Sequence, residues 1–352
     1  MSLVSIVVLN WNGKAYLEQF LPKLVQHSSL PGAEIVVADN GSTDDSVGYM
    51  ETHWPQIRVI ILEKNFGFTG GYNRVLEQLE STYYLLLNSD IEVTPGWLEP
   101  LLDQMEQGDL VAACTPKIKD FFNQTYFEYA GAAGGYIDRF GYPFCRGRIF
   151  DHLEEDQGQY DDPRPVFWGS GACLLIRAEL YRKAGGLDER FFAHMEEIDL
   201  CWRLKRMGYE IHYVPGSTIY HVGGGTLERG NPMKTFLNFR NNLLLLYKNL
   251  PGSSRWRIIL FRMILDGISA FRFLLQGAWK DGRAVFRAHF AFYGMKGFYK
   301  GTNKQNNFTE NDVLVTGIYP GSIVVDFFLR GRKRFAQLKH SFEQHQDQLI
   351  ER

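Results

Sequence analysis

A repeated alternation near the N-terminus constrains this chain more than any other feature. Short apolar runs at residues 4–9, 34–38, 58–62 and 83–87 each stop at turn-forming or polar residues, and helical apolar spacing recurs between them. Residues 14–26 show that spacing at Tyr16, Leu17, Phe20, Leu21 and Leu24, and residues 71–79 and 95–105 fit further helices. Strands alternating with helices imply an α/β fold whose largely parallel sheet is covered on both faces. Ligands of such sheets bind beyond the carboxyl ends of the strands. The tips Asn10-Trp11-Asn12, Asp39-Asn40 and Asn88-Ser89-Asp90 all stand at such ends, so one site on one sheet edge is expected.

Further along, residues 110–114, 171–177, 210–214 and 217–220 read as strands, and 196–207 and 232–250 as helices. Residues 121–165 are irregular, rich in glycine and aromatic side chains. A domain boundary is expected near Leu250-Pro251-Gly252-Ser253-Ser254, giving a catalytic unit over 1–250 and a basic, aromatic, mainly helical region over 251–352. That region carries 16 Lys and Arg against 8 Asp and Glu, a surplus of +8, so with a net charge of −2 the first 250 residues hold −10. An acidic front half argues against a nucleic-acid partner, which needs a basic face. In the rear half, Arg255, Arg262, Asp266 and Ser269 form a polar stripe at helical spacing, and charges break every apolar run before it is long enough to span a bilayer. Amphipathic helices that lie on a membrane, pack on the catalytic unit or build a homo-oligomer are the expectation.

The four cysteines form no CxxC pair, so neither a zinc site nor a disulfide framework is read, and buried free thiols are expected. The opening MSLVSIVVLNWNG lacks the basic head and cleavage site of a secretory signal, which favours a cytoplasmic location.

Several residues have the chemistry of a binding or catalytic site. Asp39, at a strand end, can accept hydrogen bonds from a base or ribose, or cap the next helix. Asn10, Trp11 and Asn12 would form the facing wall, with Trp11 equally suited to core packing. Gly67 and Gly71 allow close backbone approach at a helix N-terminus, where phosphate is favoured. Asp90 is a hard oxygen ligand for a divalent cation, and His221 a nitrogen ligand. Glu196, Glu197 and Asp199 cluster at the start of a helix, where a carboxylate can act as general base; Asp199 would point elsewhere and anchor structure. Trp168 offers a face for a sugar ring, or a core anchor, with Gly169 keeping the wall low.

Six segments in order carry a resemblance: SIVVLNWNG, VVADNGSTDDS, NFGFTGGYN, LLLNSDIEV, FWGSGACLLIR and FFAHMEEIDLCWRLKRMGYEIHYVPGSTIYHVGGGT. Together they resemble the family 2 glycosyltransferases, especially the rhamnosyl- and galactofuranosyltransferase branch, over roughly the first two-thirds of the chain. The resemblance implies a GT-A-type, Rossmann-like nucleotide-binding domain and an inverting transfer from a UDP- or dTDP-sugar, assisted by Mg2+ or Mn2+. The acceptor would be a glycan or lipid-linked molecule of cell-surface polysaccharide synthesis, met at the inner face of the cell membrane. It assigns the donor to Asn10, Trp11, Asn12, Asp39, Asn40, Asn65, Gly67, Gly71 and Asn88. The metal goes to Asp90 and His221, the base to Glu197, and the acceptor to Trp168, Gly169, His194 and Glu196. The family's usual DxD element reads Asn88-Ser89-Asp90 here, so Asp90 is the one acid of that pair. A nucleotide-sugar-binding scaffold would keep Asp39 without needing Glu197. A nucleotidyltransferase would place a glycine loop with Lys or Arg after the first strand, where this chain has Asn-Trp-Asn-Gly. A dinucleotide oxidoreductase would need a GxGxxG there.

Overall fold

The computed structural model of the protein describes residues 2–223, 231–300 and 315–338. The end of the glycine-rich stretch after His221, and positions 301–314 and 339–352 of the basic C-terminal region, lie outside the described residues.

The first half of the chain alternates as its periodicity requires: β1 (Ser2–Asn10), α1 (Lys14–His27), β2 (Ala33–Asp39), α2 (Ser46–His53), β3 (Arg58–Ile61), α3 (Gly67–Leu76), β4 (Ser81–Asn88), β5 (Ile91–Val93), α4 (Glu99–Glu106) and β6 (Val111–Asp120). Short strands follow: β7 (Gly135–Asp138), β8 (Pro143–Cys145), β9 (Arg148–Ile149), β10 (His152–Leu153), β11 (Arg164–Val166) and β12 (Cys173–Arg177). Then come α5 (Ala178–Lys183), α6 (Glu196–Arg206), β13 (Glu210–His221), α7 (Pro232–Asn249), α8 (Gly252–Leu275), α9 (Trp279–Met295), β14 (Ile318–Tyr319) and α10 (Ile323–Phe328). The two strands expected at 210–220 are one, β13, with a bulge where its register against β6 shifts between Val214 and Thr218.

The main sheet has the order β11-β13-β6-β12-β4-β1-β2-β3, with β5 added to β13. β12 runs against both neighbours, and β11 and β5 run against β13; the remaining six strands point one way. Their carboxyl ends therefore share an edge: Asn10 lies opposite Asp39, Leu9 opposite Asn88, and His221 opposite Asp120 and Ile91. Strand residues alternate between two cores. Val4, Ile6, Val8 and Leu85 pack under α1 and α4, whereas Val7, Val36, Tyr84 and Leu86 pack under α3, α5 and α6. Each such side chain contributes ~1.5–3 kcal/mol when fully buried, so both faces hold the sheet rigid beneath its polar edge.

A second sheet, β10-β9-β8-β7-β14, is built from the stretch that looked irregular in sequence, because its strands are two to four residues long. β14 joins it alongside β7, so the C-terminal part of the chain returns to the body of the molecule. α7 packs on α6 and α9, and α8 pairs with α9.

The orientation of α8 is unusual. Its expected polar stripe is its inner face: Arg255, Arg262 and Asp266 are buried. Arg262 pairs with Asp266 at 2.7 Å, donates to Asn242 of α7 and lies 3.6 Å over the Tyr142 ring, while His289 of α9 reaches Asp266 at 3.3 Å. Trp256, Leu260, Ile264, Ile268, Phe271 and Leu275 point outward. Among the described residues no helix is long and apolar enough to cross a membrane.

Candidate active site

The ends of β1 and β2 are laced into one rim. Asn10 Nδ2 donates to Asp39 Oδ2 (3.2 Å) and Ser42 Oγ (3.3 Å), and Asp39 Oδ1 accepts the Ser42 N–H (2.9 Å). Asn12 takes a left-handed φ of 51°, from which its Oδ1 accepts the N–H groups of Thr43 (2.7 Å) and Asp44 (3.3 Å). Asn10 Oδ1 is buried without a partner. Trp11, which follows Asn10 at the end of β1, is 43% exposed, so its ring is not part of the core.

The NFGFTGGYN segment behaves differently from its expected role. Asn40 gives Nδ2 to Asn65 Oδ1 (3.1 Å) and the Gly67 carbonyl (2.9 Å), and accepts the Phe66 N–H (3.0 Å); Asn65 Oδ1 accepts the Gly67 N–H (2.8 Å). At the start of α3 the N–H groups of Phe68 and Thr69 are taken by the Phe192 carbonyl, at 2.9 and 3.3 Å. The helix N-terminus expected to receive phosphate already has its acceptors. Gly67 (φ +74°) is covered by the Phe192 ring, 2.5 Å from where a Cβ would stand, and a Cβ on Gly71 would meet Leu9 at 2.9 Å. These two glycines, with Asn40, form a joint between loops, and the donor-contact role read for them is corrected accordingly; half-buried Asn65 joins the same network through Oδ1 alone.

Asp90 and His221 do meet. Asp90 Oδ1 lies 3.2 Å from His221 Nε2, and His221 Nδ1 lies 3.2 Å from Glu128 Oε2, all three side chains being buried. β5 and β13 bring the first two together, since His221 is paired with Ile91, next to Asp90. Glu128 comes from the stretch after β6; its N–H donates to the Ile118 carbonyl and its carboxylate accepts the Ala130 N–H. Burial alone would strip the charge from the imidazole, but Glu128 and Asp90 outweigh it and hold the His221 pKa well above the usual range. Burial likewise opposes ionisation of both acids, and the imidazolium overrides it to keep their pKa values low. Among the described residues no three His, Cys, Asp or Glu side chains surround a single point. The donor set nevertheless suits a divalent cation: one carboxylate oxygen and one imidazole nitrogen, with a second carboxylate on the far nitrogen of the ring. Glu92, two residues beyond Asp90, is paired with Lys23 at 2.7 Å.

Glu197 begins α6 beside Glu196. A Cβ on Gly171 would stand 3.6 Å from Glu197 Cβ, and the next carbonyl, of Ala172, accepts the Asn88 N–H at 2.9 Å. Glu197 is thus one strip of backbone away from the Asn88–Asp90 tip. The Cys145 thiol, whose pKa burial raises, also feels the carboxylates of Glu128 and Glu197, so both acids lie within electrostatic reach of that thiol. One oxygen of each of Glu196 and Glu197 is buried without a partner, as is His194 Nε2. Burial, then the neighbouring Glu197, pushes the Glu196 carboxyl well up, while burial brings Glu197 to about 7. Glu196, the more deeply buried, keeps its proton longer; Glu197 is the one that ionises near neutrality. The His194 imidazole, pressed down to about 4 by burial and then by Lys234, is neutral. Asp199, on the opposite side of α6, is paired with Arg203 (2.8 Å) and Lys248 (2.8 Å) and accepts from Asn249 (2.9 Å).

The turn before α6 is strained: Phe192, His194 and Met195 all have φ between 66° and 72°. One side chain holds it. Asn241 of α7, fully buried, points Nδ2 at the carbonyls of Phe191 (2.9 Å), Ala193 (2.8 Å) and His194 (2.7 Å).

The glycosyl transferase family 2 model matches residues 5–184, just over half of the 352-residue chain. The chain belongs to glycosyl transferase family 2. This glycosyltransferase is 28% identical over 233 residues to the N-acetylglucosaminyl-diphospho-decaprenol L-rhamnosyltransferase of Mycobacterium tuberculosis, which covers 62% of this chain and 76% of that one. Solved structures that share its fold include two glycosyltransferases with bound Mn2+. GalNAc-T7 with UDP, GalNAc and Mn2+ gives a TM-score of 0.56 at 16% identity, over 70% of this chain and 48% of that one, so the glycosyltransferase spans about half the length of that neighbour. The mannosyltransferase PcManGT of Pyrobaculum calidifontis, with GDP-Man and Mn2+, gives 0.50 at 14% identity, over 88% and 81%.

On the acceptor side of this glycosyltransferase, two expected contacts are interior. Trp168 is 3% exposed, its Nε1 donates to the Tyr136 carbonyl (2.9 Å), and its ring lies directly against Gly135. No ring face is left for a sugar, so the sugar-platform role is corrected to that of a core anchor joining the two sheets. Gly169 is packed as tightly, since a Cβ there would meet Leu174 at 2.6 Å and Thr115 at 3.0 Å. Sequence reasoning missed Glu128 and Asn241. Glu128 lies in an aperiodic stretch, NQTYFEYAG, where an acid between aromatic residues was the sole signal. Asn241-Asn242, in the middle of a helical run, was a readable one, because amides there are costly unless used.

Proposed function

We propose that this glycosyltransferase inverts configuration, moving a sugar from a UDP- or dTDP-sugar to a hydroxyl of a glycan or lipid-linked acceptor in cell-surface polysaccharide synthesis. The observation that carries the reading is the half-buried Glu197, with one carboxylate oxygen unsatisfied, across a strip of backbone from the Asp90–His221 pair. Asp39, Asn10, Asn12 and Trp11 would receive the nucleotide, with Asn88 beside its phosphates. Asp90 and His221 would hold Mg2+ or Mn2+, which when bound offsets the charge of the departing diphosphate. His221 would offer Nε2 to such a cation, with Glu128 on the Nδ1 side of the ring.

Glu197 accepts the proton of the acceptor hydroxyl as that oxygen bonds to the anomeric carbon. The bond from that carbon to the diphosphate breaks on the opposite face, so configuration inverts in one displacement. Protonated Glu196 and neutral His194 supply hydrogen-bonding groups beside the acceptor without competing for its proton. The name of the M. tuberculosis relative supports an acceptor carried on a lipid diphosphate, and with it work at the inner face of a membrane.

The test is a donor screen with Mn2+, using UDP-, GDP- and dTDP-sugars and reading nucleotide release. Glu197→Gln should cut turnover by roughly 10²–10⁴ while donor affinity stays within twofold. Wild-type rates in that variant overturn the base assignment, and absence of turnover with every donor returns the chain to the scaffold reading.

A further inference from the structure

We propose that the outward faces of α8 and α9 dock this protein on an anionic lipid bilayer, the apolar side chains entering the interface and the surrounding cations meeting lipid phosphates. The inference deepens the reading of a lipid-linked acceptor and rests on it for its purpose, though not for its measurement.

A helix on a protein surface normally turns its apolar stripe inward. α8 does the reverse. Leu260 (64% exposed), Ile264, Ile268 (61%) and Leu275 (72%) follow one another at helical spacing on the solvent side, flanked by Trp256 and Phe271. Rotating the helix would not cure this. Arg262 and Asp266 would leave Asn242, Tyr142 and His289, and a buried ion pair deprived of partners is strongly destabilising. The interior polar network therefore locks the apolar face outward.

The face continues beyond α8. On α9, Trp279, Phe286, Phe290 and Tyr293 are exposed. Lys296 bridges the two helices, its ammonium 4.9 Å from the Trp256 ring and 4.5 Å from the Tyr293 ring. Towards the other end, Arg272 lies 5.3 Å over Phe328 of α10, which is followed by the exposed Leu329. A contiguous apolar area of this kind marks an interaction site.

Charge selects the partner. Along 252–300 the exposed charged residues are cations: Arg257, Arg272, Lys280, Arg283, Arg287 and Lys300. The two acids of that span turn inward, Asp266 to Arg262 and Asp281 to the Thr235 hydroxyl. A second copy presenting the same patch across a twofold axis would set cations against cations. A surface of acidic phospholipids offers the complementary charge, and Trp, Tyr and Phe beside Arg and Lys suit the headgroup boundary. The charges within α8 and α9 and the absence of a spanning helix among the described residues mean that the helices would lie on the bilayer rather than cross it.

The experiment is flotation of the full chain with vesicles of phosphatidylcholine, alone or with 30% phosphatidylglycerol (about one lipid in three, enough for a strongly negative surface). We expect binding to the anionic vesicles, weakened by salt, and at least a tenfold loss in Ile264→Glu/Ile268→Glu. That variant should keep wild-type nucleotide release, which reads the transferase reaction separately. Quenching of tryptophan fluorescence by brominated phosphatidylglycerol should fall in Trp256→Phe/Trp279→Phe, a pair that adds no charge. Wild-type protein that ignores anionic vesicles, a double glutamate variant that binds as wild type, or a dimer that Ile264→Glu dissociates without any vesicle binding each overturn the proposal.

Discussion

At His221, Glu128 takes the Nδ1 side and Asp90 the Nε2 side, so the ring has one orientation before any cation arrives. A carboxylate behind a ligating histidine raises its basicity and fixes its tautomer. Glu128→Gln keeps the shape but loses the charge, and Mn2+ affinity measured by calorimetry should fall roughly 10–100-fold. Metal-free nucleotide binding should be unchanged; unaltered Mn2+ affinity would reduce Glu128 to a buried acid with a local role. Glu197 makes its own prediction in pH. Burial raises its pKa to about 7, so below that pH it holds a proton and cannot take another. Turnover at saturating donor should therefore climb as pH rises through about 7, and the rising limb should vanish from the residual rate of Glu197→Gln. A limb near the ordinary carboxylate range instead would mean that the base is a more exposed acid.

Among the elements, the turn from Phe192 to Met195 shows how much of the site lies outside local pattern. Three left-handed residues in four positions are held by one amide from α7 and by the backbone of α3. Asn241→Ala leaves the Ala193 and His194 carbonyls without that donor, while the Phe191 carbonyl keeps Arg240, and at ~1–3 kcal/mol for a buried group left unsatisfied we expect a loss of about 3 kcal/mol in urea unfolding. The same variant should lose kcat with little change in donor KM, because the turn aims Glu197 and does not touch the nucleotide. Such long-range holding explains what was and was not legible in the sequence. β1, β2 and β4 were readable because alternate residues feed two separate cores, and α1 because its apolar spacing repeats for three turns. Their polar tips were readable because chain direction alone puts Asn10, Asp39 and Asn88 on one edge. β7 to β10 were not, since two to four residues establish no period. The glycines of NFGFTGGYN were misread for a related reason: glycine signals close approach but does not say by what, and here the visitor is Phe192. In α8 the polar stripe was visible, but only its partners on α7, α9 and Tyr142 decide that it faces inward.

Across the whole molecule, an ionic network ties α6 to the C-terminal layer. Lys248 of α7 bridges Asp188 (2.9 Å) and Asp199 (2.8 Å), Arg203 pairs with Asp199, and Tyr299 donates to Asp188 (3.0 Å). Burial would raise the Asp199 pKa, but Arg203 and Lys248 together bring it down to about 2. A depressed carboxylate stabilises the fold above its unfolded pKa of 3.8, and that stabilisation is lost as pH falls towards 2. The shift corresponds to about 2 kcal/mol, so the urea midpoint should drop between pH 4 and pH 2, and Asp199→Asn should flatten that drop while lowering stability at pH 7. A midpoint equally steep in the variant would assign the acid response elsewhere. The grip of Asn241 on the turn has one more consequence. α7 is clasped by α9 on one side and holds the Glu197 turn on the other, so it works as a splint: the alignment of that carboxylate is borrowed from a helix seated in the C-terminal layer, and a chain cut off before α7 would keep the polar rim of the sheet but lose the brace behind Glu197.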